Sequence, residues 1–412
     1  MRCGKPTGKL VVWPRHFSRV ELGYEVFFET RLPLSLMSGG PIAIVALISF
    51  VIAHEAGHFF AAKATGMKVT EFFIGFGPKI FSFKRGETEY GLKPIPIGAY
   101  VRVVGMNALE EVDPADYGRT YREKPFWAKS VVVLAGVTAN FLLAFMLFTG
   151  AYLANGRNVI VDGSAVPTLS ISGISETIDG TPSAASSAGI LEGDLLVAFN
   201  GEELEDWEGL ASAIRSTAIG DEFEVEVLRD GERVELSGTM GSVLDPETGK
   251  PRPLLGIVPN YLTESLSVFE ASGLAGQDMW ESAKGAIGFL GRLVSPDSIL
   301  SIVQGMGGGE VPDDVRPVSP IGVYQMANGI EGVDLLAFLA FINMVLGTLN
   351  ILPLFPLDGG HFALALYEKL RGRPADVRKL IPVATAVMLF IGFLFVASIT
   401  LDLVDPISQR FS

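Results

Sequence analysis

Two hydrophobic patterns alternate along the chain. In the first, apolar residues run uninterrupted: residues 32–53, 130–156, 335–357 and 381–401 hold no charged side chain. A helix of about 20 such residues crosses a bilayer. One such run could be a buried core helix; four in one chain predict a polytopic α-helical membrane protein, with four transmembrane helices over about residues 41–62, 130–153, 335–357 and 381–403. In the second pattern apolar and polar positions take turns. Residues 71–103 interrupt aromatic and β-branched residues with Gly75, Gly77, Gly86, Pro78, Pro94 and Pro96, which predicts short strands in a membrane-associated β-hairpin segment. Residues 166–240 read as an inserted α/β unit, with strands at 169–172, 195–199 and 223–227, a helix over 204–216 and tight turns at Asn200-Gly201 and Asp230-Gly231. Farther on, Trp280, Ala283, Ala286, Ile287, Leu290 and Leu293 recur at helical spacing. They predict an amphipathic helix lying against the membrane or the bundle. The expected parts are an N-terminal extension (1–36), a first membrane part (37–156), the α/β unit (166–240), a linker with amphipathic helices (241–333) and a second membrane part (334–412).

Composition agrees with a membrane protein. Of 412 residues 49% are hydrophobic and 19% charged, whereas a soluble domain carries roughly a quarter charged residues. A net charge of −14 argues against a nucleic-acid partner, whose phosphates demand basic surface. The single cysteine, Cys3, can form neither an intramolecular disulfide nor a thiolate cage, so a metal would draw on carboxylates and on His16, His54, His58 and His361. Lys and Arg orient the spans: eleven lie between the first and second and five between the third and fourth, but only nine, against 29 acids, over residues 157–334. Short basic loops stay cytoplasmic, so the acidic stretch and both termini are expected outside a cell (inner or plasma) membrane. Residues 1–31 fit that placement poorly, with six basic residues against three acids. They also lack the apolar core and cleavage site of a signal peptide. The expectation is a translation start at Met37, immediately before the first span, with residues 1–36 a start-site artefact; a genuine extension is the alternative.

The chemistry is concentrated where two apolar runs end. After the first the chain reads His54-Glu55-Ala56-Gly57-His58. On a helix, positions i and i+4 share a face, so both imidazoles can grip one Zn²⁺ while Glu55 stands beside it as general base. His54 lies about 20 Å along a helix starting near Pro41, a depth at which ionisable groups are costly and usually functional. Zinc catalysis takes three protein ligands and an open position. Both runs travel from outside to inside, so the end of the third arrives at the same level, bringing Asp358 and, as rival third ligand, His361. Asp358 is favoured because it is deeper and nearer the backbone that Pro353 and Pro356 break; such backbone is tolerated in a membrane only beside protein or water. In the second run Gly136 and Ala139 allow close helix approach. Asn140 there either holds a substrate backbone or oxyanion or bonds a neighbouring helix, and Asn350 invites the same two readings.

Two resemblances follow. Residues 188–196 (Ala-Gly-Ile-Leu-Glu-Gly-Asp-Leu-Leu), followed by Asn200-Gly201, resemble the signature of PDZ domains, which bind peptide ends by strand addition. The His54–His58 motif, Gly136-x-x-x-Asn140 and Asn350-x-x-Pro353-x-x-Pro356-x-Asp358-Gly359-Gly360 together resemble the site-2 protease family of intramembrane zinc metalloproteases, peptidase family M50, and its RseP-like bacterial members. That resemblance implies zinc on His54, His58 and Asp358, water activated by Glu55, and an extended substrate held by the hairpin segment with Gly75 and Gly77 and by Asn350. It implies single-pass membrane proteins as substrates, such as anti-sigma factors or remnant signal peptides, trimmed first by a site-1-type protease. One PDZ-like unit instead of two, and the basic N-terminal extension, depart from RseP. Two rival functions are a catalytically inactive scaffold binding protein tails through the PDZ-like unit, which would need a ligand missing, and a metal transporter. The transporter would spread acidic or His residues through the spans, whereas the four apolar runs themselves hold none and the site residues His54, Glu55, His58 and Asp358 lie just past the ends of two of them.

Overall fold

A computed structural model describes residues 39–107, 110–161, 164–175, 177–178, 181–244, 249–330, 332–373 and 375–407. The expectations for residues 1–36 and for Met37 lie outside them. Among the described residues four helices are long and apolar enough to cross a membrane.

The first, α1 (Gly39–Ala64), carries the two histidines near its C-terminal end. After it come β1 (Val69–Phe76), β2 (Phe81–Arg85), β3 (Thr88–Leu92) and β4 (Ile95–Val103), in the sheet order β2-β3-β1-β4. The expected hairpin segment is therefore a four-stranded sheet, in which β1 pairs parallel with β3 and antiparallel with β4. Turn signals report only sequential pairing, which is why the β1–β3 contact was not legible. β1 is interior, so the open edges are β2 and β4. Gly75 sits at a register shift in β1 with φ 86°, where a Cβ would come within 2.6 Å of the Lys93 carbonyl oxygen. Bulge geometry thus accounts for this glycine. β4 packs back on the membrane part: Val103, with Val101 at its margin, shares a core with Ala62 of α1 and with Ala128, Val132 and Val133 of α2 (Phe126–Asn155).

The inserted unit has a core of its own. Its strands are β5 (Pro167–Ile174), β6 (Leu195–Phe199), β7 (Glu202–Glu203), β8 (Glu222–Arg229), β9 (Glu232–Thr239) and β10 (Ile257–Tyr261). They form one sheet in the order β9-β8-β6-β5-β10, with β7 against β6. Two helices, α3 (Ala184–Ala188) and α4 (Trp207–Ser216), close it over Ile171, Ile190, Leu196, Phe199, Leu210 and Phe223. Both expected turns have two consecutive residues at positive φ: Asn200 and Gly201 at 50° and 79°, Asp230 and Gly231 at 52° and 86°, as a two-residue hairpin turn requires. The helix starts at Trp207 because Asp206 caps it, accepting from the Gly209 N–H at 2.8 Å. The sheet reaches beyond residue 240, since β10 pairs with β5.

The chain then returns to the bundle. On α5 (Val268–Leu293), Ala275, Met279 and Ala283 pack against Ala144 and Phe148 of α2 and Ala340 and Met344 of α8 (Gly332–Asn350). Between them α6 (Pro296–Met306) bends 79° from α5, and α7 (Pro320–Ala327) packs beside the start of α1. The third long apolar helix ends at Asn350 rather than at residue 357, because Pro353 and Pro356 break it. Helix resumes as α9 (Asp358–Arg371), and α10 (Ile381–Val404) is the fourth of the long apolar helices.

Candidate metal centre

Three elements converge on one point. His54 and His58 lie one turn apart on α1 and are both buried. Asp358 opens α9 and reaches them because the broken segment folds back: a Cβ on Gly359 would overlap the Ile351 carbonyl, and one on Gly360 would meet the Phe355 nitrogen at 2.5 Å. The consecutive glycines therefore allow the loop to lie on the first turn of α9. The Asp358 Oδ2 is 3.0 Å from His54 Nε2 and 3.2 Å from His58 Nε2, and the two nitrogens are 3.1 Å apart. Ligands about 2.0–2.2 Å from a tetrahedral zinc lie about 3.3 Å from one another, so this triangle fits the ion. The tautomer fits as well. His58 Nδ1 donates to the Val132 carbonyl at 2.8 Å, leaving the neutral ring a lone pair at Nε2. Asp358 Oδ2 is buried without a hydrogen-bond partner, a cost that a cation bound between it and the two Nε2 atoms removes; His54 Nδ1, on the far side of its ring, is buried without a partner as well.

α2 forms the wall of the site. A Cβ on Gly57 would meet the Ala135 carbonyl at 2.5 Å, and one on Gly136 would overlap His58 Nε2 and lie 2.8 Å from His54 Cε1. Gly136 is thus more than a helix-packing glycine, since any side chain there enters the histidine cluster. Glu55, half-buried beside His54, has the Val101 backbone of β4 within hydrogen-bonding range of its carboxylate. The open edge of β4 therefore runs past the site, whereas Gly75 and Gly77 lie on or just beyond interior β1. One turn from Gly136, Asn140 is buried; its carbonyl accepts from Asn343 Nδ2 at 2.8 Å and its Oδ1 has no partner. Asn343, fully buried on α8, was not singled out from the sequence, although an amide within an apolar run was a usable signal. Asn350 is half-buried at the end of α8. His361 packs on Phe355 at 4.7 Å between ring centroids and lies outside the metal triangle formed by His54, His58 and Asp358.

Two histidines on a long apolar helix, a carboxylate within 3.2 Å of both and a second carboxylate alongside make the arrangement expected of a membrane-embedded metal-dependent hydrolase. The family model described as Peptidase family M50 matches residues 42–395, and the chain belongs to that family. Zinc metalloprotease Rip1 of Mycolicibacterium smegmatis is 31% identical over 408 residues, covering 88% of this chain and 97% of its own. Regulator of sigma-W protease RasP of Bacillus subtilis is 26% identical over 431 residues, covering 85% of this chain and 94% of its own. A solved PDZ domain of an SdrC-like protein from Listeria innocua matches 24% of this chain and 99% of its own at 16% identity and a TM-score of 0.19. At that score it adds nothing to the strand order and core that define the inserted unit. The protein is accordingly an intramembrane zinc metalloprotease.

Proposed function

We propose that this protease cuts peptide bonds within or near transmembrane segments of single-pass membrane proteins, with His54, His58 and Asp358 holding zinc and Glu55 as the base. The observation that carries this reading is the triangle of three ligand atoms, 3.0 to 3.2 Å apart, with Glu55 on the same helix. Zinc, when bound there, supplies Lewis acidity that polarises the scissile carbonyl and makes water acidic. Glu55 takes the proton of the attacking water and returns it to the departing amine. The Val132 carbonyl keeps His58 in the ligating tautomer, and Gly136 keeps the wall of α2 clear of both rings.

A peptide bond in a transmembrane helix is hidden in the backbone ladder and must be unwound first. The open edge of β4 supports an extended substrate beside Glu55 by strand addition, with the amides of Asn140 and Asn350 as further partners for its backbone. The basic bias of the two short loops supports placing the metal centre toward the cytoplasm and the PDZ-like unit outside, in a multi-pass cell membrane protein. RasP is named as a regulator of sigma-W; by that analogy the substrates are anti-sigma factors or similar stubs left by a site-1-type protease. A scaffold would need an incomplete ligand set, and the set here is whole.

Glu55→Gln in purified protein tests this reading. Bound zinc should stay near one per chain while cleavage of a model transmembrane segment falls by about 10²–10⁴-fold. A variant that cuts at the wild-type rate removes Glu55 from the mechanism.

A further inference from the structure

Between the first turn of α2 and the last turn of α9 lies a cleft of about 230 Å³ lined by Phe126, Lys129, Ala365, Glu368, Lys369 and Arg373. It is separate from the metal centre: Lys369 stands eleven residues, or about 16 Å along α9, from Asp358. Its charges are unbalanced. Glu368 is already engaged, accepting from Lys129 Nζ at 3.2 Å and from the Ala375 N–H at 3.1 Å. Lys369 and Arg373 have no carboxylate partner among the described residues, and neither do Arg378 and Lys379 in the connection to α10.

The flank of the cleft is apolar and faces outward. Leu366 and Leu370, one turn apart on α9, are 38% and 79% exposed, and Trp127 in the first turn of α2 is 62% exposed. Trp127 opens one membrane span and the connection from α9 opens another, so this corner lies at headgroup depth, where tryptophan is favoured. Exposed leucines there meet acyl chains rather than water.

We propose that the cleft between α2 and α9 binds an anionic phospholipid. Its phosphate sits against Lys369 and Arg373 with Lys129 behind them, and its chains lie along Leu366, Leu370 and Trp127. The charge complementarity selects a negative headgroup, and the leucine pair selects a lipid over a free anion. Occupancy ties the C-terminal end of α9 to α2 and steadies the helix whose first residue is Asp358. The inference rests on the membrane placement of α2 and α10, not on the assignment of the catalytic base.

The test reads bound lipid and needs no cleavage. The full chain is reconstituted in phosphatidylcholine nanodiscs doped with phosphatidylglycerol, re-extracted in detergent, and its retained lipid counted by native mass spectrometry. Wild type should keep phosphatidylglycerol in preference to phosphatidylcholine. Lys369→Gln/Arg373→Gln should lower that retention roughly 30-fold, whereas Arg378→Gln/Lys379→Gln, in the same basic loop but outside the cleft, should lower it far less. Leu370→Ser should weaken retention with both cations present. A single symmetric gel-filtration peak and an unchanged far-UV circular dichroism spectrum in every variant report that the fold is intact. Equal loss in both double variants would reduce the site to diffuse basic attraction and overturn the proposal. Equal retention of phosphatidylcholine would overturn it too, as would complete displacement by inorganic phosphate, which needs no acyl contact.

Discussion

Two carboxylates each follow directly on an uncharged apolar run of the chain, and their surroundings treat them oppositely. Asp402, in the last turn of α10, is fully buried; one oxygen accepts from the N–H groups of Ser319 and Gly322 at 2.8 and 3.1 Å, and the other from Arg316 at 3.3 Å. Arg316 goes on to the Leu401 carbonyl and to Asp405, leaving its Nε as the unpartnered atom of the cluster. Asp358 instead turns Oδ2 toward two imidazole Nε2 atoms, and that oxygen has no hydrogen-bond partner. A cluster that holds a fold together closes its lone pairs on donors. A cluster that holds a ligand keeps them aimed at one point and tolerates the cost until the ligand arrives.

Crossed substitutions break this comparison most sharply. Asp358→Asn should lose zinc and fall to background proteolysis with little change in the stability of the metal-free protein. Asp402→Asn should do the reverse: Arg316 keeps the part-exposed Asp405 but loses its buried partner, a cost below the ~3–5 kcal/mol of a fully orphaned buried charge, with zinc per folded chain unchanged. Thermal unfolding in detergent and metal analysis on the same samples separate the two. If Asp402→Asn lost zinc while Asp358→Asn unfolded, the roles assigned to the clusters would be reversed.

Gly136→Ala probes the aim of the lone pairs. Its Cβ has no room beside His58, so zinc affinity should drop about 10–100-fold, the scale of a disturbed ligand support. Gly150→Ala on the same helix is the control, because its Cβ would meet only Leu336 Cδ2, at an ordinary 3.5 Å. A smaller loss is expected for Asn343→Leu, which removes the bond to the Asn140 carbonyl: about 0.6–1.7 kcal/mol of stability with zinc retained. Loss of zinc in that variant would draw the asparagine pair into the metal site.

Most of the candidate metal site was legible because the residues that compose it are local in sequence. His54 and His58 lie one helical turn apart, and Pro353, Pro356 and Asp358 mark a broken span ending in a carboxylate. The four long apolar helices were legible because each is a run of about 20 residues with almost no charge, the pattern lipid demands. What stayed hidden depends on contacts between distant segments. The Val132 carbonyl and the Val101 backbone carry no residue-specific signal, and a peptide group reads the same in any sequence. Asp402 was passed over because it follows the fourth apolar run like an ordinary helix stop; its burial depends on Arg316, 86 residues earlier. The parallel pairing of β1 with β3 is likewise non-local.

A third charged cluster, shared with solvent, marks the weak end of the same scale. On the outer face of β1 and β4, Glu71 accepts from Tyr100 at 2.7 Å and from Arg102 at 3.1 Å, while Arg102 is 52% exposed and also reaches Glu110. Burial alone would push the Glu71 carboxyl up, but the bonds from Tyr100 and Arg102 outweigh it and hold the group below its ordinary value. A carboxyl depressed in the folded state contributes stability above its unfolded value near 4.3, and the contribution fades as pH falls through the lower folded value. Tyr100 is shifted the other way, raised by burial and by Glu71 against the pull of Lys93. Its contribution is therefore full below about pH 10 and fades as pH rises through the higher folded value. Glu71→Gln should cost under about 1 kcal/mol at neutral pH, because solvent and salt screen the pair. It should also flatten the acid side of the unfolding profile, and high salt should do the same to wild type. Amide exchange of β1 and β4 across acid pH measures this directly. An acid limb unchanged in Glu71→Gln would mean that the sheet is held by Val69, Phe73 and Val103 alone, with the exposed charges adding nothing.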